Sequence, residues 1–356
     1  MTALLLIAGL ISLLAGAEVL VRGASRLATA TGMSPLVIGL TVVAFGTSAP
    51  ELAVGIDAVH RGAPGIAIGN VVGSNITNVL LILGISALVT PLIVSRQLVW
   101  LDVPVMIASS VLVFALALDG NISRVEGGAL AIAAVVYITW LIRLTRREAD
   151  DADDATSIER GRWSWAIDIA MVVGGLALLV LGARWLVQSA VTVAEALGMS
   201  ELVIGLTVIA VGTSMPEIAT SIMAAVRGQR DIAVGNIVGS NVLNLLLVLG
   251  LTSVFSPSGI PVASAAIHFD LPVMLAAAIA CLPIFFTGHC IQRWEGAVFL
   301  GYYIAYTAYL LLDAAGHDAM PAFSAVMIQF VMPLTAITLG IVLMRALRHR
   351  RQSRNG

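Results

Sequence analysis

The sequence predicts an all-α polytopic membrane protein: two inverted five-helix repeats, ten transmembrane helices in all, followed by one extra C-terminal helix. Three observations lead there. The chain of 356 residues is 59% hydrophobic and 11% charged, with mean hydropathy +1.00, whereas soluble domains carry about 25% charged residues. A long block of sequence occurs twice at one constant offset. The arginines gather on alternate connections, as the positive-inside bias of membrane proteins requires.

Apolar segments of membrane-spanning length lie near 2–22, 35–60, 66–92, 98–118 and 126–144, and again near 167–187, 201–226, 232–256, 264–287 and 293–312. The first resembles a signal peptide only superficially. No positive charge precedes it, Arg22 and Arg26 follow it, and its apolar run exceeds a usual signal core. It is read as a retained helix with its N-terminus outside. The final apolar stretch, about 320–345, contains Pro333 and has no counterpart in the first half.

The repeat is direct to read. Residues 32–85 begin GMSPLVIGLTVVAFGTSAPELA and end GNVVGSNITNVLLILGI; residues 198–251 begin GMSELVIGLTVIAVGTSMPEIA and end GNIVGSNVLNLLLVLGL. The offset is 166 without a gap, and about 34 of 54 positions are identical, far beyond what shared apolar composition produces. An odd number of helices per copy sends the second copy into the membrane from the opposite side, the plan of secondary transporters whose site lies where the copies meet. The chain therefore divides into a first repeat at 1–144, a polar cytoplasmic loop at 145–165, a second repeat at 166–313 and a C-terminal helix with a basic tail at 314–356.

Sixteen of the nineteen arginines fall on one predicted side, leaving Arg61, Arg124 and Arg184 on the other. This places the 145–165 loop and the C-terminus in the cytoplasm of a cell-membrane protein. The loop's acidic run, EADDADDATSIE, lacks the spacing of a calcium-binding EF-hand and reads as a solvated connector. The arginine-rich tail reads as an inside-anchoring flank beside the lipid bilayer. No basic run interleaved with aromatics points to nucleic acid. Lysine is absent, which excludes Schiff-base chemistry. The five histidines show no spacing tied to a serine, so an intramembrane serine hydrolase lacks its base. No catalytic residue and no cofactor is expected, and Cys281 and Cys290 form no disulfide framework.

The chemistry lies in GTSAPE at 46–51 and GTSMPE at 212–217, each in the middle of an apolar span. Proline donates no backbone hydrogen bond, so Pro50 and Pro216 free carbonyls about one turn back, around Ala44 to Gly46 and Ala210 to Gly212. Freed carbonyls at this depth are tolerated beside protein or water, and they suit a hard, oxygen-seeking cation. Thr47, Ser48, Thr213 and Ser214 add hydroxyls in the same turn. Glu51 and Glu217 follow directly. A carboxylate at the bilayer centre costs at least about 2.5–3.5 kcal/mol and needs a counter-charge; with no arginine in either motif, a bound cation is the natural partner. The next helix carries Ser74 and Asn78, and Ser240 and Asn244, four apart and so on one helical face, where they can complete an oxygen cage. Asn70, Asn75, Asn236 and Asn241 are read either as further ligands or as interhelical hydrogen-bonding groups, with the second favoured. Gly69, Gly73, Gly235 and Gly239 have the spacing of close helix packing. Asp57 is read as an interfacial or vestibule residue, and Asp102, His268 and Asp270 as interfacial.

These paired blocks resemble the two alpha repeats of sodium/calcium exchangers, within the calcium/cation antiporter superfamily. The resemblance covers about residues 2–313 and implies ten helices in two inverted halves. It implies that Glu51 and Glu217 bind calcium and sodium alternately, that Thr47, Ser48, Ser74, Asn78, Thr213, Ser214, Ser240 and Asn244 line the same site, and that Ala44 and Ala210 contribute carbonyls. It further implies about three sodium ions per calcium. Several exchangers of this family carry aspartate at one of the positions matching Asn78 and Asn244; here both are asparagine. The alternative within transport is calcium/proton antiport, whose proteins typically carry a glutamate shortly after the Gly-Asn pair, where this chain has Gly73 and Gly239.

Overall fold

Each apolar segment becomes a helix because a backbone in hydrocarbon must satisfy its own polar groups. The computed structural model describes residues 2–151, 162–196, 210–286, 288–316, 319–333, 335–336, 340 and 344. The first repeat comprises α1 (Thr2–Thr31), α2 (Pro35–His60), α3 (Gly65–Val89), α4 (Leu98–Ala117) and α5 (Arg124–Asp151). The second comprises α6 (Arg162–Ala196), α7 (Met215–Val226, preceded by the short helix Ala210–Thr213), α8 (Arg230–Phe255), α9 (Ala266–Phe286) and α10 (Arg293–Ala314). A further helix, α11 (Met320–Val326), continues into a π-helical turn at Met327–Val331. Among the described residues nine helices are long and apolar enough to cross a membrane. Most of the acidic run, residues 198–209 of the second repeat block and the arginines from Arg345 onward lie outside the described residues.

The expected limits hold to within a few residues for most spans, and three helices outrun them: α1, expected near 2–22, runs to Thr31; α5, expected near 126–144, runs to Asp151; and α6, expected near 167–187, runs from Arg162 to Ala196. The extension of α1 is held by charge pairing: Arg22 pairs with Glu18, and Arg26 lies 2.6 Å from the buried Asp168 of α6.

The two halves are related by an approximate two-fold, visible in what they exchange. Strand β1 (Leu92–Ile93) pairs antiparallel with β4 (Cys290–Ile291), and β2 (Asn121–Ile122) pairs with β3 (Ile260–Pro261). β1 and β3 hold equivalent places in the two repeats, as do β2 and β4, so each ladder is the image of the other. The same exchange joins α1 to α6. A Cβ at Gly16 would meet the Gly175 carbonyl at 2.9 Å, and one at Gly182 would meet that of Gly9 at 2.8 Å; glycine is what lets these backbones touch. The Ser12 hydroxyl donates to the carbonyl of Leu178, its own counterpart 166 residues on, at 2.8 Å.

Helix α8 is almost wholly enclosed, whereas α10 is peripheral. Leu4, Ile7, Leu10, Ile11 and Leu14 lie exposed along α1, an apolar face suited to lipid and far too large for water.

Candidate ion-binding site

The site starts from two helix breaks. In α2 the helical run stops at Ser48, with ψ near 2°, and restarts at Ala49. In the second half it stops at Ser214, with ψ near 8°, and restarts at Met215. Pro50 and Pro216 occupy the first turn of each new half-helix, where a missing N–H costs nothing. Glu51 and Glu217 lie in the same first turn, where the positive end of the helix dipole favours negative charge. Ala44, named for its carbonyl, accepts there from Ser48 N at 3.0 Å and from the Thr47 hydroxyl at 3.4 Å, so Pro50 does not leave that carbonyl free. Ala210 opens the corresponding short helix, which Thr213 closes.

Each break faces the other repeat. The Ser74 hydroxyl lies 3.4 Å from Glu51 Oε1, and that of Ser214 lies 3.4 Å from Ser74. The Thr47 hydroxyl lies 3.2 Å from Asn236 Oδ1 and 3.5 Å from the Ser240 hydroxyl. Both glutamates are buried, as are Thr47, Ser48, Ser74, Asn78, Ser214, Ser240 and Asn244. The contacts join Glu51, Ser74 and Ser214 in one group and Thr47, Asn236 and Ser240 in another, while Ser48, Glu217, Asn78 and Asn244 are buried on the same four helices, α2, α3, α7 and α8.

What distinguishes these helices is a surplus of buried acceptors. Ser48 Oγ, Glu51 Oε2, Asn78 Oδ1, both oxygens of Glu217 and Asn244 Oδ1 are buried with no hydrogen-bond partner. Such groups cost free energy when left bare. No arginine or histidine is among the buried polar residues described. Two acids with neutral oxygens, and no thiolate or imidazole, form a donor set for hard cations such as calcium or sodium.

The four remaining asparagines hold helices together. Asn75 donates to the Asn241 carbonyl at 3.4 Å, Asn78 to Asn241 Oδ1 at 3.1 Å and Asn244 to Asn75 Oδ1 at 3.3 Å. Asn236 donates to Ser221 at 3.0 Å, and Asn70 to the Glu51 carbonyl at 3.3 Å. Gly235 and Gly239 pack as expected: a Cβ at Gly239 would lie 2.6 Å from the Leu40 carbonyl. The stretch that the repeat sets opposite Gly69 and Gly73, residues 202–206, lies outside the described residues.

One sequence reading changes. Asp102, expected at the interface, is fully buried, accepting from Tyr137 at 3.0 Å and Gln97 at 3.4 Å. Asp270 has a matching partner, accepting from Tyr306 at 2.8 Å, but is only half-buried. Asp57 keeps an exposed position, paired with Arg61 at 2.7 Å. Thr220, not singled out from sequence, is buried with its hydroxyl unpartnered; its position three residues after Glu217, on the same helical face, was the available signal. A second repeat also went unread: DVPVM at 102–106 returns as DLPVM at 270–274, displaced by two more residues than the main block.

The family profile described as sodium/calcium exchanger protein matches residues 1–143 and 167–312. The chain belongs to that family. Among its relatives, a protein named sodium/calcium exchanger MaX1 from Methanosarcina acetivorans is 36% identical across 86% of this chain and 97% of its own length. A putative antiporter, CaxA, from Alkalimonas amylolytica is 37% identical with the same coverage. The solved sodium-calcium exchanger NCX_Mj, soaked without sodium or calcium, superposes with a TM-score of 0.75 at 32% identity, over 87% of this chain and 98% of that one. This family member is therefore a multi-pass membrane protein of the exchanger and antiporter type, with the ten-helix inverted-repeat fold and one helix added.

Proposed function

We propose that the protein exchanges sodium for calcium across the cell membrane by alternating access at one mid-membrane site. Glu51 and Glu217 supply the charge. Thr47, Ser48, Thr213, Ser214, Ser74, Asn78, Ser240, Asn244 and the carbonyls of Ala44 and Ala210 supply neutral oxygens. The observation that carries this reading is the set of buried, unpartnered oxygens, those of Ser48, Glu51, Asn78, Glu217 and Asn244, on the helices that carry and flank the two breaks. Two carboxylates balance one calcium ion or two sodium ions, so the loaded site is nearly neutral and able to change access without a large dielectric penalty. The names of the relatives support the same ions. The arginine distribution supports an outside N-terminus and a cytoplasmic C-terminus.

The test is calcium uptake by proteoliposomes loaded with sodium, potassium or buffered protons. Uptake driven by a sodium gradient is expected. Uptake driven only by a proton gradient would replace this reading with calcium/proton antiport, and uptake that needs no counter-ion would replace it with a channel.

A further inference from the structure

Two methionines outside the cage close a symmetric pair of hydrogen-bond relays that end on its oxygens. In α4, Met106 Sδ lies 3.3 Å from Asn241 Nδ2, and Asn241 Oδ1 accepts from Asn78 Nδ2 at 3.1 Å. In α9, Met274 Sδ lies 3.7 Å from Asn75 Nδ2, and Asn75 Oδ1 accepts from Asn244 Nδ2 at 3.3 Å. All six residues are buried, with at most 2% exposure. Each relay ends on an amide oxygen, of Asn78 or of Asn244, that has no hydrogen-bond partner.

The chemistry of the first link sets the direction of the rest. A thioether has lone pairs and no proton, so it can only accept. The amide facing it must therefore present its NH2, which turns its own oxygen toward the next asparagine; at Asn75 the Asn241 carbonyl, 3.4 Å from the same Nδ2, favours the same orientation. That asparagine must in turn donate, which leaves its oxygen facing inward. Asn78 and Asn244 each lie four residues after Ser74 and Ser240, on the face that carries the cage hydroxyls. A reversed amide would put N–H dipoles against a bound cation.

We propose that Met106 and Met274 are positioning residues that hold Asn78 and Asn244 with oxygen rather than NH2 toward the cation. This rests on the functional reading above, since it presumes that the cage binds cations. The repeated pentapeptides DVPVM and DLPVM put both sulfurs at matching places in the two halves. An apolar contact alone would be served as well by leucine, which has nearly the same volume.

The test is calorimetric binding of calcium and of sodium to the purified full-length protein, to Met106→Leu and to Met274→Leu, each also in an Asn78→Ala or Asn244→Ala background. Losing the acceptor should weaken calcium binding about three- to tenfold, the worth of one buried hydrogen bond. Sodium binding should weaken less, because a single charge feels a misdirected dipole less. Met106→Leu should have no further effect once Asn78 is alanine, nor Met274→Leu once Asn244 is alanine. Unchanged calcium affinity in both leucine variants overturns the proposal. So does an equal loss for both ions, or a loss that persists in the alanine backgrounds, since either marks ordinary packing. A parent protein that binds no calcium overturns the functional reading and this inference together; a parent that binds calcium beside unaffected leucine variants overturns this inference alone.

Discussion

The side-chain amide of Asn75 donates to the backbone carbonyl of Asn241, its own copy 166 residues later, at 3.4 Å. A residue can touch its own repeat counterpart only near the axis relating the two copies. The Ser12–Leu178 bond marks the same axis at α1 and α6. The candidate cage is built around the first contact, so both repeats contribute equivalent groups to it.

Removing either charge should separate binding from folding. Glu51→Gln and Glu217→Gln are each expected to lower exchange by about a hundredfold or more, because an amide keeps an oxygen but halves the anionic charge, on the order of 3–5 kcal/mol for a buried pair. The metal-free protein should melt no lower than its parent, since an unbalanced buried carboxylate is gone. Calcium should then cease to raise the melting temperature. Near-normal exchange by either variant would sink the assignment of the site.

The α1–α6 contact should tolerate no side chain. A Cβ at Gly175 would lie 2.7 Å from Leu20 N and 2.9 Å from the Gly16 carbonyl, so Gly175→Ala is expected to destabilise by about 1–3 kcal/mol through overpacking. At Gly128 the nearest atom to an added Cβ is a Val254 methyl at 3.9 Å, and Gly128→Ala should be neutral or stabilising, as alanine is in helices generally. Melting curves in one detergent compare the two, and equal effects would refute the close-packing account.

Besides Arg26–Asp168, a second charge pair ties α1 to the rest of the protein on the arginine-rich side. Glu18 meets Arg227, at the end of α7, at 2.7 Å. The equivalent positions in the other half are Arg184 and Arg61, which carry like charges, and Arg61 pairs with Asp57 instead. Glu18→Gln should therefore favour opening on the arginine-rich side by about 1 kcal/mol or less, the worth of a half-exposed pair. A cysteine introduced at Ser221 should react faster with a thiol reagent from that side once Glu18 is glutamine. No change in rate would leave the pair without a role in access.

Charge arithmetic predicts electrogenic exchange. Two glutamates neutralise two sodium ions, so a third sodium, which the family resemblance implies, would travel as an excess positive charge. Uptake into sodium-loaded vesicles should follow the sign of a potential set by potassium and an ionophore. Asn244→Asp supplies a third carboxylate and is expected to strengthen sodium binding, while the net charge moved per cycle, set by the stoichiometry, stays the same. Uptake indifferent to potential in the parent would indicate two sodium ions per calcium.

Sidedness is open to direct labelling. With Cys281 and Cys290 replaced, Asn121→Cys should react with an impermeant thiol reagent from outside the cell, and Arg96→Cys only after the cytoplasmic face is exposed. The reverse result would invert the arginine-based orientation.

The sequence by itself determined the helices, the repeat and the two acids. Most helix limits follow from local hydropathy, because hydrocarbon admits only backbones that satisfy themselves, although α1 and α6 outrun it, and the breaks at Ser48 and Ser214 follow from Pro50 and Pro216. Repetition of GTSAPE and GTSMPE announced a shared site without reference to shape. Tertiary structure decided what each buried polar group does. Asn75 and Asn78 are three residues apart on one helix and equally polar, yet one is spent on interhelical bonds and the other keeps a bare oxygen. Asp102 is buried rather than interfacial because Tyr137, from the next helix, reaches it. The sulfurs of Met106 and Met274 acquire a meaning only when Asn241 and Asn75 arrive from the opposite repeats. A hydrogen-bond partner more than a hundred residues away leaves no periodicity and no local spacing, so the roles it assigns become legible only once the chain has folded.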